Sequence, residues 1–106
     1  MGSREDRRGR NEALFREVNE QIAELGERHR ASRLEIVCEC SNVACSEPIS
    51  IFVSEYEEAR SDPLTFIVRI GHVDPSVERT VRQHRGHVLV QKLGDAAAAA
   101  IATDPR

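Results

Sequence analysis

All three cysteines of this 106-residue chain fall within V-C-E-C-S-N-V-A-C-S-E-P, residues 37 to 48. Thiols crowded this closely cannot be dispersed through a core, and an odd number cannot be fully paired within one chain. Cys38 and Cys40 are separated by one residue, so on an extended strand both side chains leave the same face. Cys45 follows after S-N-V-A, which is long enough to turn the chain back. The three sulfurs are therefore expected to converge. Thiolates are soft donors suited to zinc, and a structural zinc is held by four donors in a tetrahedron. A fourth ligand must come from elsewhere in the chain.

The candidates are His29, His72, His84 and His87. His72 is preferred, because it sits in a G-H-V-D-P break after an apolar strand, where a glycine lets the backbone approach closely. His29 falls on the polar end of the first helix. His84 and His87 flank Arg85-Gly86, where an exposed turn is the ordinary role. The expected site is Cys38, Cys40, Cys45 and His72, a closed Cys₃His set with a net charge of about −1 around a zinc ion. Two rivals stand beside it. Free cysteine is among the most buried residue types, so the thiols could simply pack. A redox pair is the other. Against it, C-x-C closes a tight ring, and the loop has no Lys or Arg to lower a thiol pKa, while Glu39 and Glu47 would raise it.

A metal would suit the rest of the composition. The chain is 40% hydrophobic but only 4% aromatic, with no Trp, so its core must be built from Val, Ile, Leu and Ala. A core of that size has little stability to spare, and a structural metal adds its binding free energy to folding. The charged start M-G-S-R-E-D-R-R-G-R is not followed by the apolar run of a secretion signal, and no stretch is apolar enough to span a membrane. A cytoplasmic location is expected, where thiols stay reduced.

Apart from Met1, residues 1 to 10 carry nothing to anchor them and are expected to form a disordered basic tail. A single compact domain is expected over residues 11 to 106. Asn11 is a possible N-cap for an amphipathic helix whose stripe is Phe15, Val18, Ile22 and Leu25, widened by Leu14, with Gly26 near its end. Residues 34 to 39 and 48 to 53 read as strands joined by the cysteine loop. Ser54 and Glu57 form a capping box for a short helix through about Ser61, closed by Asp62-Pro63. A third strand spans 65 to 70. The segments before and after Arg85-Gly86 read as a hairpin, with a helix as the alternative for the first arm. Gly94 and Asp95 open an alanine-rich last helix. The expected fold is α+β: one small, mostly antiparallel sheet of four or five strands with an N-terminal amphipathic helix, a short middle helix and a C-terminal alanine-rich helix.

The runs F-R-E-V-N-E at 15 to 20, C-E-C with the later cysteine, E-Y-E at 55 to 57, G-H at 71 to 72 and the terminal D-P-R resemble a group of small uncharacterised actinobacterial proteins with this arrangement. The resemblance spans most of the chain beyond the tail. It implies a compact bacterial protein with a cysteine and histidine site, and no particular activity.

Other chemistries find little support. The glycines are scattered, so no phosphate loop or dinucleotide fingerprint exists. Glu55, Glu57 and Glu58 complement the positive end of a short helix. Arg79, Arg82 and Arg85 recur at three-residue spacing, but a pI near 5.8, an acidic middle and few aromatic residues argue against nucleic acid. The expectation is a non-catalytic, zinc-stabilised interaction or regulatory module, monomeric or homodimeric, that meets a protein partner through Glu55, Glu57 and Glu58. The alternative is a metal- or redox-responsive sensor built on the thiols.

Overall fold

The computed structural model of the protein describes residues 4–40, 45 and 48–106. Their elements run α1 (Arg4–Arg28), β1 (Arg33–Val37), β2 (Pro48–Phe52), α2 (Val53–Arg60), β3 (Thr65–Val68), β4 (Glu78–Gln83), β5 (Val88–Lys92) and α3 (Gly94–Ala102). The expected turn through S-N-V-A and the carboxylate of Glu47 lie outside the described residues.

The α+β class and the order of helices agree with the sequence, but the single sheet does not form. β1 pairs antiparallel with β2 alone, and β3, β5 and β4 make a second antiparallel sheet in that order. The division has a local cause. Beyond β1, the Glu39 N–H donates to the Ile67 carbonyl at 2.8 Å, one bond of a ladder that would fuse the sheets. The next position is taken by a side chain: the Ile67 N–H donates to Glu39 Oε1 at 2.9 Å. Asn19 of α1 does the same to β1, its Nδ2 donating to the Val37 carbonyl at 2.8 Å and its Oδ1 accepting from the Val37 N–H at 2.8 Å. Side-chain amide and carboxylate thus complete the backbone pairing that a neighbouring strand would otherwise supply.

Strands β1 and β2 alternate as half-buried strands do: Leu34, Ile36, Ile49 and Ile51 face inward, while Glu35 and Ser50 face out. β3 is buried along its whole length, with Phe66, Ile67 and Val68 against Val88, Leu89 and Val90 of β5. β4 is a strand, as the hairpin reading requires. It borders the sheet, with exposed residues after Glu78 and a bulge between Thr80 and Arg82. The helical alternative fails because Arg79 pairs with Gln91 across the ladder, backbone to backbone and guanidinium to amide.

Three boundaries are corrected. α1 begins at Arg4, inside the stretch read as a tail, so Asn11 lies within the helix and not at its N-cap; Arg and Glu are good helix formers and no proline interrupts them. α2 opens after Phe52, and the carboxylate that turns back on its start is Glu55, whose Oε1 accepts from the Phe52 N–H at 3.1 Å; Ser54 and Glu57 stand two positions too late. α3 begins at Gly94, with Leu93 in the capping position.

The face that α1 buries is also not the one expected. Phe15, Val18 and Ile22 are only half-buried and Leu25 is 53% exposed, whereas Glu12, Arg16 and Asn19 are buried. Glu12, Arg16, Asn19, Ala23 and Gly26 follow one another at steps of three and four and form one face. Polar residues hold its centre because each has a partner waiting. At its end a Cβ on Gly26 would collide with Leu34 Cδ2, so glycine here permits the close approach of α1 to β1.

Candidate metal centre

Cys38 and Cys40 continue β1 past its last paired residue, and the alternation of an extended chain sends both thiols to one side. Glu39, between them, goes the other way. Its Oε2 accepts from Asn19 Nδ2 at 2.8 Å, so the carboxylate expected to burden the thiols is turned from them. Burial pushes its pKa up, against the pull of the Asn19 amide, the Ile67 N–H and the charges of Arg60 and Arg16. His72 arrives from the end of β3. The chain turns there, with the His72 N–H on the Arg69 carbonyl at 3.0 Å and Gly71 at φ 88°, in the left-handed region that favours glycine.

Sequence and structure agree on which residues meet. His72 Nδ1 lies 3.6 Å from Cys38 Sγ, 3.5 Å from Cys40 Sγ and 3.4 Å from Cys45 Sγ. All four donor atoms fall within 4.8 Å of one another. One imidazole nitrogen offers a single N–H or a single lone pair, so it cannot make three hydrogen bonds at once. Four donors around a common point can share an ion. Bonds of ~2.3 Å to sulfur and ~2.0 Å to nitrogen at a tetrahedral angle set sulfur and nitrogen about 3.5 Å apart, the separation seen here. The residues present fit a metal.

Backbone N–H groups support a thiolate here, while burial outweighs them and holds the Cys38 thiol above its ordinary range. The Arg69 N–H points at Cys38 Sγ, 3.2 Å away, a contact of the kind that orients and supports metal thiolates. Burial pushes the Cys38 thiol upward, and N–H groups of Arg69 and Cys40 pull against it. Cys38 and Cys40 are buried, while Cys45 and His72 are half-buried at the rim.

The remaining histidines divide. His29 is exposed in the turn after α1. His84 and His87 do flank the hairpin tip, but the expectation of exposed turn residues fails: His87 is 3% exposed and its ring stacks on that of His84, with centroids 4.5 Å apart. The tip folds back toward α2, where Glu55 Oε2 lies 3.4 Å from His84 Nδ1. Glu57 meets the Arg106 guanidinium at 2.8 and 3.0 Å, and Glu58 lies 3.5 Å from Arg82.

Sequence reasoning missed the charged seam beneath α1. Arg16 donates to the Pro63 and Ala100 carbonyls, pairs with Asp104 at 3.1 Å and covers the Phe66 ring. Arg60 bridges Glu20 and Asp104, and Arg106 returns to Glu20 and Glu57. Lys92 joins Glu12 and Glu78. Burial pushes Asp104 upward, but the Arg106 N–H and the Arg60 guanidinium outweigh it and hold the carboxyl below its ordinary range. Glu20 is likewise lowered: burial opposes, and Arg106 and Arg60 prevail. The signal that could have found the seam was a polar set, Glu12, Arg16 and Asn19, at helical spacing.

Fold and cluster together define a small α+β protein carrying a Cys₃His set suited to a metal ion. No protein-family model, curated protein or solved structure matches the chain. Among the described residues no helix is long and apolar enough to cross a membrane.

Proposed function

We propose that the chain is a zinc-stabilised, non-catalytic module that acts by contact with a protein partner. The observation that carries the metal is the single nitrogen of His72 with three sulfurs at 3.4 to 3.6 Å. Three thiolates and an imidazole select zinc among the common divalent ions, and four protein donors leave no position for a substrate or a reacting water. With that set closed to reactants, contact with a partner is the role we infer by elimination. The proposed surface is the outer side of α2, where the Glu57 and Glu58 side chains are 50% and 66% exposed, with Glu55 at its margin beside His84.

Elemental analysis of purified protein should return one zinc per chain, and His72→Ala should weaken metal retention against a chelator far more than His84→Ala or His87→Ala. Metal-free protein with an unchanged cooperative transition would overturn the proposal. A second reading, a redox-responsive sensor, draws on the half-buried position of Cys45, the thiol most open to an oxidant. It requires zinc release on mild oxidation, with Cys45 modified first.

A further inference from the structure

The hairpin tip and α2 bring together a second set of donors that shares no residue with the cysteine cluster. Ring nitrogens of His84 and His87 and a carboxylate oxygen of Glu55 lie within 4.8 Å of one another. We propose that these three side chains form a second metal site, of the two-histidine, one-carboxylate type, which takes a borderline divalent ion such as zinc.

Three observations converge on it. The first is the packing of the two rings, with centroids 4.5 Å apart and planes inclined by 18°, which brings a ring nitrogen of each within 4.8 Å of the other and of the Glu55 carboxylate. The second is His87 itself. The residue is 3% exposed, yet its Nε2 is buried with no hydrogen-bond partner among the described residues, an unfavourable state for a buried polar atom. An ion bound through this ring would relieve it. The third is the way Glu55 is held. Its Oε1 accepts the Phe52 N–H at 3.1 Å while Oε2 faces His84 at 3.4 Å, so the start of α2 orients the carboxylate and leaves its other oxygen for the site. Such supporting bonds are what give metal ligands their direction.

The site differs in kind from the cysteine cluster. It has imidazole and carboxylate donors and no thiolate, so it holds zinc more weakly and admits nickel or copper as well. Three protein donors leave a coordination position for water or for a donor from outside the chain. Its immediate effect is to clamp the tip of the β4–β5 hairpin to the first turn of α2, two segments also joined by Arg82 and Glu58 at 3.5 Å.

The test is a calorimetric zinc titration of untagged protein that already carries its first equivalent, paralleled by cobalt substitution. One further equivalent of zinc is expected. A second equivalent of cobalt should bind with no added thiolate-to-metal absorption, since it meets no sulfur. His84→Ala and Glu55→Gln should each weaken the second equivalent by about tenfold or more and leave the thiolate band of the first unchanged. Glu55→Gln retains an acceptor for the Phe52 N–H, so a folding defect does not confuse its outcome. Absence of a second equivalent, or one that survives both substitutions, overturns the second site while leaving the cysteine site standing. Uptake of a single equivalent that is lost in His84→Ala and accompanied by no thiolate band has the opposite meaning: this site holds and the cysteine site fails.

Discussion

Two regions packed on the middle of α1, a cysteine end and a charged end, offer opposite solutions to one problem, how a small core with few aromatic residues is held together. Near Asn19 the helix meets the cysteine strand, where three sulfurs and a nitrogen surround a point suited to a cation. Around Arg16 and Glu20 it meets the C-terminus, where guanidinium and carboxylate groups already neutralise one another. The first is suited to an ion from outside, and the second balances its charges within the chain, although Arg16 Nε and one Arg60 nitrogen stay buried without a partner among the described residues. Glu39 joins them, since it stands between Cys38 and Cys40 while its carboxylate is held by Asn19. Metal dependence should therefore be regional in origin, entering through the cysteine end.

Removing the ion tests this contrast most strongly. Chelation, or Cys40→Ser, should cost several kcal/mol, because structural zinc in small domains contributes on the order of 10 kcal/mol of apparent binding free energy. Amide exchange should quicken at Glu39 and Arg69 before it does in α3. Uniform loss of protection would mean that the two ends are one cooperative unit.

Asn19→Ala attacks the joint between them. It leaves the Val37 N–H and carbonyl and one Glu39 oxygen without their partner, and a loss of about 2–3 kcal/mol is expected in chemical denaturation. If Asn19→Ala were neutral, the side-chain completion of β1 would be ornamental.

Asp104→Asn addresses the charged end. The folded pKa of Asp104 lies below its unfolded value, so its stabilisation is present above the unfolded value and disappears as pH falls through the folded one. Wild type should exceed the variant by about 1–3 kcal/mol at neutral pH, a figure reduced for the partial exposure of Asp104. That gap should close on the acid side of the ordinary carboxylate range. Because metal loss on acidification is common to both proteins, the difference between their stability curves isolates the carboxylate. A gap constant with pH would remove Asp104 from the seam.

The smallest effect expected is that of Gly26→Ala. Helix propensity favours alanine by up to ~1 kcal/mol, whereas the Leu34 contact opposes it by about 1–3 kcal/mol. A net loss near 1 kcal/mol in thermal unfolding should follow, and a gain would show that Leu34 yields freely.

The cysteine cluster was legible because its logic is local: three donors in eight residues, and a histidine placed by a glycine after a strand. Strands β1 to β5 were legible from alternation and β-branched residues. What escaped depends on partners remote in sequence. Arg16 is buried because Pro63, Ala100 and Asp104 receive it; the helical spacing of Glu12, Arg16 and Asn19 marks a polar face without naming those partners, and the apolar stripe beside it pointed to a neighbouring face. The division into two sheets escaped for the same reason, since it turns on a carboxylate and an amide standing in for backbone. His84 and His87 were misjudged because a hairpin tip is exposed by default, and only the docking of α2 covers it.

The three-stranded sheet has a consequence for how the molecule behaves in a crowd. Each outer strand of such a sheet is a row of open backbone groups on which a stranger's strand can grow, and polymers begin there. Here both borders are closed to growth. On the β3 side the Glu39 N–H and carboxylate already engage Ile67. On the β4 side a bulge breaks the regular spacing between Thr80 and Arg82, and Arg79 and Arg82 would carry like charges into any stacked copy. Strand addition at either border of this sheet is thereby disfavoured.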